Sequence, residues 1–327
     1  MPRGPPHEEK VENMTAQYDP MRSPLELPIR VMRATLHFER PFDLPTVEGA
    51  SLATSLRGAL GHAIRQTTCT ALTVCRSGRE GCGGAQGCGI PVLWAPESTA
   101  QKRQHASPIV LAAPTTVAQG ATDVSFRVTL WGRRAIEHQR AAWGALRAAG
   151  GRGLDTVGGV LRFEVDLDAE YEGSLDGWAR SRGTSLERAT LRFAARRDVP
   201  AEPARSADRI ADIAHDLVQW DLFDQGLDER LGKRGCDELA DAARGGVHTL
   251  LAAVRIQDRA VIEFGGRRRS GRNEGEFNVP RLAGEVVVEG ALDAVIPWLA
   301  VIELRGFGPK KAFAVLPELT WDEAAGR

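Results

Sequence analysis

The chain has 327 residues, 43% of them hydrophobic, so it can bury a substantial core, and its length favours two domains over one or three. No run approaches the roughly eighteen consecutive apolar residues of a membrane span, and the start, MPRGPPHEEKVENMTAQYDP, lacks the apolar stretch of a secretory signal, so a soluble, cytoplasmic protein without a membrane partner is expected. The formal net charge of −1 hides an asymmetry: residues 198–241 hold twelve acidic and five basic side chains, which leaves the rest of the chain near +6, so a polyanionic ligand is not excluded.

Residues 1–28, rich in Pro, Glu and Arg without periodicity, read as a flexible tail. A partly alternating strand follows from Val31 to Phe38. A helix comes next, from about Ala50 to Gln66, with Leu52, Leu56, Leu60 and Ile64 at four-residue steps. Beyond a cysteine-containing loop at 69–90, PIVLAAP and DVSFRVTLWG read as strands, AIEHQRAAWGALRAAGG as a helix closed by glycine, and GGVLRFEVDL as a strand. This β-α-β-β-α-β order is a ferredoxin-like unit over residues 29–170. After a linker at 171–185 the order returns over 186–321. It runs through strand ATLRFAA, helix SADRIADIAHDLVQWDLF, then strands VHTLLAAVRI and AVIEF around a hairpin turn at Gln257-Asp258-Arg259. Strand GEVVVEG, helix ALDAVIPWLAVIEL and strand AFAVLPEL complete it, and residues 322–327 form a closing tail. The expected fold is α+β, with two tandem ferredoxin-like (RRM-like) βαββαβ domains, the second carrying an extra strand.

Four of the five cysteines, Cys69, Cys75, Cys82 and Cys88, fall within twenty positions, while Cys236 stands apart. Their spacings of five, six and five residues are not the CxxC pairs of a zinc ribbon. Three readings stand: a structural zinc site, free thiols on an adaptable glycine-rich loop, and disulfides, the last disfavoured in a reducing cytosol.

Two basic stretches carry more chemistry. GGRRRSGRNEG puts Arg267, Arg268, Arg269 and Arg272 behind a glycine pair, and guanidinium forks bind phosphate bidentately; a solvated basic turn has the same composition. RGFGPKKAFAVL places Arg305, Gly306, Gly308, Lys310 and Lys311 in a turn able to cradle a sugar-phosphate backbone, without the GxxxxGK[ST] order of a nucleotide P-loop. On the helix of residues 50–66, with Leu52 at zero, the leucine stripe centres near roughly 60° and His62 falls near roughly 280°. It is therefore an outward histidine, flanked by Gly58 and Arg65: either a plain surface residue or a titrating imidazole open to substrate. His37, at a strand end, and His105, in a loop, are weaker candidates. No HExxH, GxSxG or clustered carboxylate pattern supports hydrolysis by two metal ions.

SLRGALGHAIRQTTC, GGRGLDTVGGVLRFEV, RRSGR and LAGEVVVEGALDAVIPWLAVIELRGFGPKKAFAVL occur in an order that resembles the CRISPR-associated endoribonucleases of the RAMP (repeat-associated mysterious protein) superfamily, which process precursor CRISPR RNA. The resemblance spans about residues 30–321; it departs where further glycines are usual, at Ala314 and Leu316. It implies metal-independent cleavage of repeat RNA by the substrate's own 2′-OH, with no catalytic cofactor. His62 would be the general base or acid, and Arg57, Arg65 and the two basic stretches the RNA contacts. It also implies CRISPR repeat RNA and crRNA, with other CRISPR-associated proteins of an effector complex, as partners. Any zinc on the cysteine loop would brace the RNA site and stay out of the chemistry. The alternative is a non-catalytic RAMP subunit that binds the crRNA hairpin; a ferredoxin-like small-molecule enzyme is a remote third.

Overall fold

The computed structural model describes residues 17–41, 47–68, 93, 97–98, 103–104, 107–112, 114, 116–156, 159–183, 186–193, 202–203, 206–269, 276–306 and 318–323. The first unit is built on β1 (Pro28–Phe38), α1 (Gly49–Thr68), β2 (Ile109–Ala112), β3 (Asp123–Trp131), α2 (Gln139–Arg152) and β4 (Phe163–Ser174). Its sheet has the order β4-β1-β3-β2, with every pairing antiparallel. That is the strand order of the ferredoxin-like unit that the element sequence predicts.

Both helices cover one face of this sheet. Leu52, Leu56, Leu60 and Ile64 of α1, and Ala142, Ala145, Leu146 and Ala149 of α2, pack on Ala34, Leu36, Phe126, Val128 and Phe163. The four-residue stripe of α1 is thus its buried side, as the periodicity requires. The alanine face of α2 lets it lie close to β4, and at Gly150 a methyl group would collide with the Phe163 carbonyl.

The second unit repeats the plan with β5 (Leu186–Phe193), α4 (Ser206–Asp224), β6 (Arg255–Arg269), β7 (Glu276–Glu289), α6 (Ile296–Arg305) and β8 (Glu318–Glu323). Its strands run β6-β7-β5-β8, with a short strip, Glu202–Pro203, added outside β6 as a fifth strand. The fold is α+β with two tandem ferredoxin-like units.

Several local expectations are corrected. Residues 228–251 form a long helix, α5 (Asp228–Leu251), and so VHTLLAAVRI is not a strand in its first half. Gln257, Asp258 and Arg259 make no turn: they continue β6 opposite Val287, Val286 and Glu285, and the irregularity is a bulge between Arg259 and Ile262. Residues 171–183 are not a linker. The strand β4 runs through Ser174, whose hydroxyl caps α3 (Leu175–Arg180) by accepting the Gly177 N–H, and Leu175, Trp178 and Ala179 are buried. Residues 17–28 are not a loose tail either. Tyr18 is buried and donates to Asp221 at 2.7 Å; burial, then the Asp221 charge, push its phenol well above the usual tyrosine range.

The two units share a core. Ile29, Val31, Val110 and Trp131 of the first sheet join Leu217, Val218 and Trp220 of α4 and Trp298 and Leu299 of α6 in one cluster. Trp131 stacks on Trp220 at 4.8 Å. Gly132, at φ 88°, lets Asp224 approach so closely that a Cβ would fall 2.6 Å from its carboxylate, which accepts the Arg134 N–H. No helix among the described residues is long and apolar enough to cross a membrane.

Candidate nucleic-acid interface

On α1 the burial pattern separates two faces. His62 is exposed, with Ser55, Gly58 and Gln66 exposed on the same side. A Cβ at Gly58 would meet nothing, so helix backbone lies open beside the imidazole. Arg65 is half-buried next to it. Arg57, expected as an RNA contact, is half-buried and donates to the Ile109 carbonyl at 3.5 Å, tying α1 to β2.

The arginine run lies where, among the described residues, the second sheet thins to two strands. Pairing of β5 with β7 ends at Phe193 opposite Gly284, whereas β6 and β7 stay paired as far as Arg269 opposite Glu276. Arg267, Arg268 and Arg269 are therefore strand residues near the end of a two-stranded arm, opposite Asn278, Phe277 and Glu276. Arg272 lies outside the described residues, as do His105, Gly308, Lys310, Lys311, Cys69, Cys75, Cys82 and Cys88.

Arg305 is a correction. Expected at the RNA surface, it is 3% exposed and donates through Nη2 to buried Asp216 of α4 and through Nη1 to the Gly306 carbonyl at 3.4 Å. It secures the last turn of α6, which Gly306 ends at φ 80°.

His37 is engaged on both ring nitrogens, by Asp123 at 2.6 Å and Asp166 at 3.1 Å, on the sheet face away from α1 and α2. The Asp123 hydrogen bond, opposed by desolvation and helped by Asp166, holds the imidazole above its ordinary range. Both nitrogens face carboxylates, which suits an imidazolium better than a general base. The sign follows: with the folded pKa raised, any stabilisation is complete below the ordinary imidazole pKa and is lost as pH rises through the raised one. Asp123→Asn is expected to return the His37 titration, followed by NMR of its ring protons, toward the free imidazole value; an unmoved midpoint would remove Asp123 as the cause.

The rest of that sheet face belongs to the seam between the units. Arg127 binds Glu170 bidentately, at 3.0 and 2.7 Å, and donates to the Glu303 carbonyl at 3.0 Å. Burial works against the Glu170 carboxylate, but Arg127, with Arg33 and Arg182, outweighs it and holds the carboxyl below the usual range. Arg182 lies 3.9 Å over the Trp178 ring and 2.9 Å from the Glu303 carboxylate, which also accepts from Trp321 at 3.0 Å. Burial nevertheless pushes the Glu303 carboxyl up. These acids and the seam lie on the sheet side of the first unit, whereas exposed His62 lies on the helical side. Among the described residues no cluster of three His, Cys, Asp or Glu is arranged to hold a metal ion.

Comparisons with known proteins follow this division. Residues 27–172 match the family described as the AF_1859 N-terminal domain, a span that coincides with the first ferredoxin-like unit. No curated protein sequence matches the chain. Among solved structures, a Cas6 product complex aligns over 90% of this chain and 99% of its own, at 15% identity and a TM-score of 0.47. A Thermus thermophilus Cas6 aligns over 90% and 98%, at 14% identity and a TM-score of 0.42. A Cas6-related protein from Pyrococcus furiosus aligns over 90% and 99%, at 10% identity and a TM-score of 0.40. At these values the likenesses carry no residue-by-residue correspondence.

Proposed function

We propose that this chain is a metal-independent endoribonuclease that binds CRISPR repeat RNA, cleaves precursor crRNA, and stays with its product in an effector complex with other CRISPR-associated proteins. The observation that carries the reading is the exposed His62 on α1, beside Arg65 and the bare backbone at Gly58, on a tandem ferredoxin-like scaffold with an arginine-bearing arm. The sequence motifs around His62 and before Gly306 support the same assignment.

In this mechanism the substrate supplies the nucleophile. Its 2′-oxygen bonds to the adjacent phosphorus, the P–O5′ bond breaks, and the products are a 5′-OH fragment and a 2′,3′-cyclic phosphate that water opens to a 3′-phosphate. Neutral imidazole at His62 takes the 2′-OH proton, or imidazolium there gives a proton to the departing 5′-oxygen. Arg65 offsets the charge that builds on the phosphorane. The cysteine loop takes no part. A structural zinc there, rather than free thiols or disulfides, would show as a chelator-sensitive mass in native mass spectrometry.

The reaction is tested by incubating the chain with repeat RNA in excess chelator, followed by end-group analysis. Cleavage is expected to persist and to stop when the nucleotide 5′ of the scissile bond is 2′-deoxy. Cleavage of the deoxy substrate would overturn the 2′-OH mechanism, and tight binding without cleavage would assign the chain to a non-catalytic RNA-binding role.

A further inference from the structure

Several cations on α3 and α5 pair with acids along their own helix. Lys233 and Arg234 of α5 reach Asp237 and Glu238, and Arg180 of α3 reaches Asp176, all at i,i+4 spacing. The helix α2 does not. Its sequence, QRAAWGALRAAGGR, holds Arg140, Arg147 and Arg152 and no acid, and all three are exposed without an ion pair or hydrogen bond among the described residues. Exposed Arg133 lies just before it. The nearest acid before the helix is Glu137, and no ion pair joins it to these arginines.

Arg140 and Arg147 are seven residues apart, so they lie on one line of the helix, and Gly144 and Gly151 fall between and beyond them on the same side. A Cβ at either glycine would meet nothing, which leaves helix backbone bare between the guanidinium groups. From Arg140 to Arg147 the ladder covers about 10 Å of helix axis, with Arg152 off this line at the helix end. A small anion would occupy one fork of such a ladder; a linear polyphosphate fits its length. The opposite face of α2 is the alanine face packed on the sheet, so the arginines contribute nothing to the core.

We infer that the outward face of α2, through Arg140 and Arg147 with Gly144 between them and Gly151 beyond, is a second RNA-backbone contact surface, separate from the arginine arm of β6 and β7. It lies on the helical side of the first unit, the side that also presents His62. RNA bound near His62 would continue along α2 without reading sequence, since phosphate contacts position and base contacts specify. The inference rests on the RNA-binding reading above.

The test is the salt dependence of binding of a synthetic stem-loop RNA with single-stranded tails, followed by fluorescence anisotropy. Replacing both Arg140 and Arg147 with alanine is expected to flatten the plot of log affinity against log salt by about 1.5–2, and to weaken binding roughly ten- to fifty-fold at 0.1 M salt. The lysine pair, R140K with R147K, should keep the slope, and R230A with K233A on α5 should leave it unchanged. An unchanged slope in the alanine pair, with wild-type binding intact, overturns the inference alone and leaves this face for an acidic protein partner. An equal loss in the α5 pair overturns it too, because net charge rather than α2 would then be responsible. Absence of salt-sensitive binding by the wild type overturns both the inference and the reading beneath it. Circular dichroism should show all variants folded alike.

Discussion

His62→Ala is expected to slow cleavage of repeat RNA by roughly 10²–10⁴-fold while leaving RNA affinity within about twofold, the signature of a lost proton-transfer group. The imidazole is exposed and takes no part in the core around Leu60, Ala63 and Ile64, so its removal should leave the thermal transition unmoved. The pH–rate profile is the more discriminating readout, because the variant should lose the limb that an imidazole contributes near neutrality. Arg65→Ala should lower the rate as well, but with salt-dependent binding also weakened, since a cation next to the phosphate acts on both. If His62→Ala, His37→Ala and His105→Ala all cleave at the wild-type rate, histidine catalysis is wrong. The doubly engaged ring of His37 makes it the least suited of the three to act as a base.

Asp216→Ala should be the most damaging single change to stability that is remote from any RNA. Asp216 and Arg305 are both buried, and removing the carboxylate strands a guanidinium in the interior, at a cost of about 3–5 kcal/mol. Urea unfolding should register that loss, and the melting temperature should fall by roughly 5–10 °C. Asp216→Asn keeps an acceptor for Arg305 and should recover part of it. Replacing the pair together, Asp216→Leu with Arg305→Met, should come close to wild type, because neither charge then needs compensation. A double variant no better than Asp216→Ala would mean that the packing around α4, and not the ion pair, carries the effect. Hydrogen exchange at Gly306 should rise with Asp216→Ala, since Arg305 also binds its carbonyl.

The architecture was largely written in apolar period. Leu52, Leu56, Leu60 and Ile64 declared a helix, DVSFRVTLW a strand, and the order of such segments gave both ferredoxin-like units. What escaped was what depends on small residues and distant partners. The buried line of α5, Leu239, Ala240, Ala243 and Val247, is half alanine, a faint stripe beside the β-branched run VHT, and Gly232 at φ 68° interrupts its start. Gln257-Asp258-Arg259 has turn chemistry, yet the partner strand β7 overrides it and the strain is taken up in a bulge. Arg305 reads as a surface cation in a basic stretch; only the fold brings Asp216 against it, across 89 residues. The arginines of α2 were visible in sequence as a helix free of acid, but their meaning required knowing that among the described residues no other element supplies them with a carboxylate.

Tyr18 meets Asp221 across 203 residues, and Ile29, Val31 and Trp131 are covered by α4 and α6. During synthesis, a nascent chain released only as far as Ser174 would have its first sheet and both covering helices, but not the lid over that apolar back face. Completion must wait for the last third of the polypeptide. The two units should therefore mature together rather than in turn, with a prolonged exposure of sticky surface that invites chaperone holding. A fragment comprising the first unit alone should aggregate, even though it contains every strand of its own sheet.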